Sequence, residues 1–80
     1  MKFNVKIDSI QHWYEVWVDE STTIPYVLFV CPNKSDSGEI LIIDPKENNQ
    51  LVMKMTDYET AKLWLLEDEY TLVNGRMEID

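Results

Sequence analysis

Residues 56–69 are the one stretch of this 80-residue chain that reads convincingly as a helix; Ile10, Trp13 and Trp17 also stand at helix spacing, but the β-rich composition around them favours a strand. A chain with one helix and many strands must lay that helix on a sheet, because neither element buries its apolar face alone. The helix therefore anchors the rest of the reading. Thr56, followed three residues later by Glu59, has the form of a capping box and places the helix start near residue 57. On a wheel of ~100° per residue, Tyr58, Ala61 and Leu65 form one stripe with Trp64 and Leu66 on its shoulders, so this stripe faces the sheet. Leu63 falls nearly opposite, between Glu59 and Glu67, and is expected to be exposed. The acidic triplet Glu67, Asp68 and Glu69 lies where the helix dipole is already negative, an arrangement that stability alone does not favour.

Ahead of the helix the patterns are those of strands. Phe3, Val5 and Ile7 alternate with Asn4, Lys6 and Asp8. Residues 13–18 place Tyr14, Val16 and Val18 on one face and Trp13, Glu15 and Trp17 on the other. Residues 26–31 are continuously apolar between Pro25 and Pro32, which fits a central strand buried on both sides. Residues 39–43, ended by Asp44-Pro45, should pair with it as a hairpin, and the alternation of Leu51, Met53 and Met55 carries the meander on to the helix. Beyond the helix, Asn74-Gly75 signals a tight hairpin that would put Tyr70, Leu72, Met77 and Ile79 on one face. The expected fold is α+β: an antiparallel, meander-like sheet of five to seven strands packed against a single helix at about 57–67, with a C-terminal β-hairpin. Residues 1–80 are expected to form one small globular domain.

Fifteen acidic side chains against seven basic ones give a net charge of -8, which repels phosphate and anionic bilayers. Nucleic acid and membrane are thereby disfavoured as partners, and a basic protein is favoured. With 45% hydrophobic residues, including three Trp, four Tyr and two Phe, the chain has the material for a core. The longest apolar run is strand-sized, the first residues do not resemble a signal peptide, and the single Cys31 cannot form an internal disulfide. A reducing, cytoplasmic setting is expected on those grounds.

Motifs that carry chemistry are few. His12 and Glu15 have a His-x-x-Glu spacing that shares a face only on a helix, and no paired Cys or His motif accompanies them. Neither a metal nor a cofactor is expected. Cys31 ends an apolar run in an acidic chain and reads as an inert buried thiol. Asp44 with Glu47, or Asp57 with Glu59, have no evident cleft to tune them as an acid and base pair, so no catalytic residue is expected. Gly38 and Gly75, both in expected turns, rule out a glycine-rich phosphate loop.

What remains is a candidate interaction surface of Trp13, Trp17, Leu63, Glu67, Asp68, Glu69 and Tyr70. For the tryptophans, packing in the core is the favoured alternative, since so small a domain needs them there. For the acids the alternative is a solvated turn, with a dipole penalty of at most ~1 kcal/mol. The expected function is that of a small acidic, non-enzymatic protein-interaction or regulatory domain. Its alternatives are an immunity-type inhibitor or nucleic-acid mimic acting on a basic enzyme, a small-ligand or metal-binding protein built on His12 and the tryptophans, and a homodimer closed through Leu63 or an open sheet edge.

Overall fold

An apolar run bounded by prolines and lacking a polar face is best satisfied between two other strands, and residues 26–31 lie in the central strand of the sheet. The computed structural model describes residues 13–33 and 36–78. In chain order it has β1 (Trp13–Asp19), β2 (Tyr26–Asn33), β3 (Asp36–Asp44), a short 3-10 turn (Pro45–Glu47), β4 (Gln50–Met55), α1 (Tyr58–Glu67) and β5 (Thr71–Glu78). The five strands form one antiparallel sheet in the order β4-β3-β2-β1-β5, with β2 at its centre. The strands β1 to β4 form a meander, and α1 carries the chain back across the sheet so that β5 joins the far edge. The proposed strand at residues 3–7 lies outside the described residues, as does Ile79.

Register assigns the two faces. Glu15 pairs with Val30, Val30 with Ile42 and Ile42 with Met53, while Trp17 pairs with Leu28 and Ile40 with Met55. These positions form the face beneath the helix. Ala61 and Leu65 of α1 close over it, giving a core of Trp17, Leu28, Val30, Ile40, Ile42, Ala61 and Leu65. On the reverse face Val16, Phe29 and Ile43 align across three strands, next to Cys31 and Leu41. Cys31 and Ile43 are each 1% exposed, whereas Val27 and Phe29 on the same face of β2 are half-buried, so that face is less fully covered than the sequence suggests. Burial pushes the Cys31 thiol up to about 11.

Two local expectations are corrected. The helix is capped by Asp57 and not by a Thr56–Glu59 box: Asp57 is extended (φ -158°) and its carboxylate accepts from the Thr60 amide at 2.8 Å. A charged acceptor meets the positive end of the helix dipole better than a hydroxyl does, and Thr56 instead donates to Asp57 at 3.3 Å.

The second correction is at Asn74-Gly75, where the chain does not reverse. Both residues have positive φ (59° and 70°), as a hairpin turn would need, yet residues 71–78 form one strand along β1. Tyr14 pairs with Met77 and Val16 with Val73, so Glu15 alone faces Asn74, Gly75 and Arg76 across a bulge. The dipeptide dictates its own left-handed backbone and nothing beyond it. An isolated hairpin of four-residue arms is marginal in water, whereas the edge of β1 offers ladder hydrogen bonds and a place for Leu72 beside Trp17. Met77 consequently falls on the face away from the helix and is 42% exposed, apart from Leu72.

The core and the bulge predict different penalties. Leu65→Ala should cost about 2–5 kcal/mol by urea denaturation, whereas Gly75→Ala, whose new Cβ would meet nothing within 4 Å, should lose only the roughly 1–2 kcal/mol of left-handed strain. The thiol predicts a pH dependence. Above pH 9.0 an unfolded Cys31 ionises while the folded one holds its proton to about 11, so the unfolded state binds fewer protons and stability falls across that window. Denaturation curves from pH 8 to 11 should show this loss, and Cys31→Ala should flatten its first part.

Candidate functional site

Strand alternation has an unavoidable consequence in β1. A strand that turns Trp13 and Trp17 towards the helix must turn Glu15 the same way, and Glu15 is 2% exposed. A buried carboxylate persists only when donors replace its lost water. Trp17 Nε1 donates to its Oε1 at 2.9 Å, and the Tyr58 hydroxyl lies 2.9 Å from both carboxylate oxygens. Arg76 Nε donates to Oε2 at 3.0 Å. The Arg76 guanidinium carbon stands 3.6 Å from the centroid of the Trp13 ring and 4.8 Å from that of Tyr58. Those two rings meet edge to face, 5.8 Å apart at 85°.

The donors come from three elements. Trp17 follows on the same strand, Tyr58 is the first residue of α1, and Arg76 follows the bulge of β5. Arg76 is the only arginine in the chain, and the bulge aims it at the only buried acid among the described residues. Desolvation first, and donation to Glu15 second, hold the Tyr58 hydroxyl above its ordinary pKa. Chemically this is a closed network: the carboxylate is occupied by donors on both oxygens and the tyrosine proton is committed to it. It is suited to joining β1, β5 and α1 and poorly suited to moving a proton.

The other end of α1 is built differently. Glu59, Lys62, Leu63, Leu66 and Glu67 recur at i, i+3, i+4, i+7 and i+8 and are all exposed, with Leu63 at 61% and Leu66 at 50%. The helix ends in a Schellman arrangement, in which the Tyr70 amide donates to Leu65 O at 2.9 Å and the Glu69 amide to Leu66 O at 3.1 Å. Glu69 occupies the left-handed position (φ 68°) that glycine usually fills. No basic residue sits in the last turn. Strain at Glu69 and three acids at the negative end of the dipole therefore coincide. Burial first, and the charges of Asp19, Asp68 and Asp44 after it, raise the Tyr70 hydroxyl pKa.

The residues singled out from sequence thus separate. Leu63 and Glu67 lie on the outer face of α1, Asp68 and Glu69 follow in the turn that ends it, and all four are exposed. Trp17, 2% exposed, belongs to the core and offers a partner no surface. Trp13 is half-buried at the opposite end of the helix, engaged with Arg76, and Tyr70 packs its ring against the core. Sequence reasoning put Glu15 on one face with Trp13 and Trp17 without assigning that face to the core, and it missed Arg76. The available signal was an acid between two tryptophans on an inward face in a chain with one arginine. His12 lies outside the described residues. Among the described residues, no group of three or more His, Cys, Asp or Glu is arranged to hold a metal, and no helix is long and apolar enough to cross a membrane.

Arg76 keeps a 35% exposed side chain, so removing Glu15 strands no buried charge. It strands two donors instead, the Trp17 indole N–H and the Tyr58 hydroxyl, at about 1–3 kcal/mol each, and Glu15→Ala should lose about 2–5 kcal/mol in urea denaturation. Tyr58→Phe removes one bond to a charged acceptor and should lose about 1.5–3 kcal/mol. A loss below ~1 kcal/mol for Glu15→Ala would mean the network adds little to folding. Neither a protein family nor any curated protein or solved structure matches the chain.

Proposed function

We propose that this chain is a small acidic, non-enzymatic protein-interaction domain that docks a basic protein through the outer face and C-terminal end of α1. The observation that carries the reading is that exposed Leu63 and Leu66 stand beside Glu59 and Glu67, with Lys62 the one base among them, on the outer face of α1, and that Asp68 and Glu69 follow directly at its end. Leucines supply apolar anchors, and the surrounding carboxylates choose a partner of opposite charge and speed its approach. Glu69 adds support, because it occupies a backbone position where glycine would be more stable. Local choices that run against stability concentrate where a surface serves something else.

Three successive acids at the end of the helix suit a partner whose own surface is built for phosphate, and this favours the inhibitor or nucleic-acid-mimic form of the reading. A ten-residue helix is only ~15 Å long, so the contact falls in the small and salt-sensitive class.

Two variants separate binding from stability. Glu69→Gly should raise stability by roughly 1 kcal/mol, because it relieves the left-handed strain. A Glu67→Lys, Asp68→Lys, Glu69→Lys triple variant should remain folded and bind its partner at least about tenfold more weakly, equivalent to ~1.4 kcal/mol. Capture from lysate at low and high salt is the test. The reading expects basic proteins that are lost with salt and with the triple variant; a bound set indifferent to both would contradict it.

A further inference from the structure

We infer that Trp13, Glu15 and Tyr58 form a receptor for a single guanidinium group, which the folded chain fills with Arg76 from its own edge strand. Every wall of this receptor belongs to β1 or α1, and only its occupant comes from β5. Trp13 and Tyr58 meet at 85° and make a corner, with the Trp13 face as a stacking surface for a flat cation. Glu15 closes the floor. Being 2% exposed, its charge is little screened by water, and a cation placed there interacts far more strongly than at the surface.

The remaining donors define what kind of cation fits. Trp17 Nε1 and the Tyr58 hydroxyl occupy Oε1, and the hydroxyl also reaches Oε2. Arg76 approaches Oε2 through Nε alone, with its side chain 35% exposed. One N–H donor, a planar delocalised charge and an alkyl tail leaving towards β5 describe an alkylguanidinium. A tetrahedral ammonium could supply the charge but not the stacking plane. Truncating residue 76 should therefore leave a preformed anionic corner open to such an ion from solution.

The test is chemical rescue of Arg76→Ala by ethylguanidinium at millimolar concentration, read by thermal melting and by tryptophan fluorescence. The expected result is a stabilisation that rises with concentration, shifting the folding constant about tenfold when the ion is tenfold above its dissociation constant. If Arg76→Ala is unfolded without additive, the same ion should restore the native fluorescence and circular dichroism. Wild-type protein should not respond, because its tethered Arg76 already holds the site at high effective concentration. A Glu15→Gln, Arg76→Ala double variant should not respond either, and ethylammonium should rescue Arg76→Ala less well than ethylguanidinium. No rescue of Arg76→Ala, an equal response in wild type or in the double variant, or equal rescue by ethylammonium would each overturn the inference.

Discussion

The buried carboxylate of Glu15 is the constraint to which most of this small structure answers. Alternation along β1 forces it under the helix together with Trp13 and Trp17, and an unpaired charge there would cost several kcal/mol. Three features of the fold follow from its neutralisation. Trp17 is oriented by donating its indole N–H, α1 is docked at its first residue through Tyr58, and β5 bulges at Asn74-Gly75 so that Arg76 reaches the site. Replacing such a pair by apolar side chains is often neutral in stability, so its physical effect is best described as selecting one arrangement. Without it, β5 has little to distinguish this register from a two-residue slip that keeps the same face inward.

The two ends of α1 show opposite treatment. At the N-terminus a charged cap, an aromatic contact and a partly buried hydrogen bond all agree with what stability requires. At the C-terminus acids oppose the dipole, a glutamate takes the place of a glycine and two leucines face outward. The core beneath, Ala61 and Leu65 against Ile40, Ile42 and Val30, is continuous under both ends and holds the helix in place regardless. Stability is thus gathered at one end of the helix, while the other carries the exposed leucines and the acids.

How much of this was legible in sequence depends on the range of the interaction concerned. The Tyr58–Ala61–Leu65 stripe, the exposure of Leu63 and the central place of β2 were readable because periodicity reports directly which face a side chain takes, whereas Leu66, on the shoulder of that stripe, turns outward. Asp57 displaced Thr56 as the cap, a difference of one residue between two good capping types. Asn74-Gly75 misled for a deeper reason: it states a backbone conformation, and whether that conformation reverses a chain or bulges a strand depends on β1, more than fifty residues away. The Glu15–Arg76 bond spans 61 residues, and no local pattern encodes a contact of that range. Trp17 lost its place on the candidate surface for an ordinary reason, since a small sheet and a single helix need a large side chain between them.

Native-state hydrogen exchange on Glu15→Gln, compared with wild type, tests the central claim most directly. If one carboxylate joins the edge strand to the start of the helix, amides of Thr71–Glu78 and of the first turn of α1 should lose protection together, while those of β2 and β3 keep theirs. Loss confined to β5, or an even loss throughout the sheet, would contradict the account and reduce Glu15 to one more buried side chain.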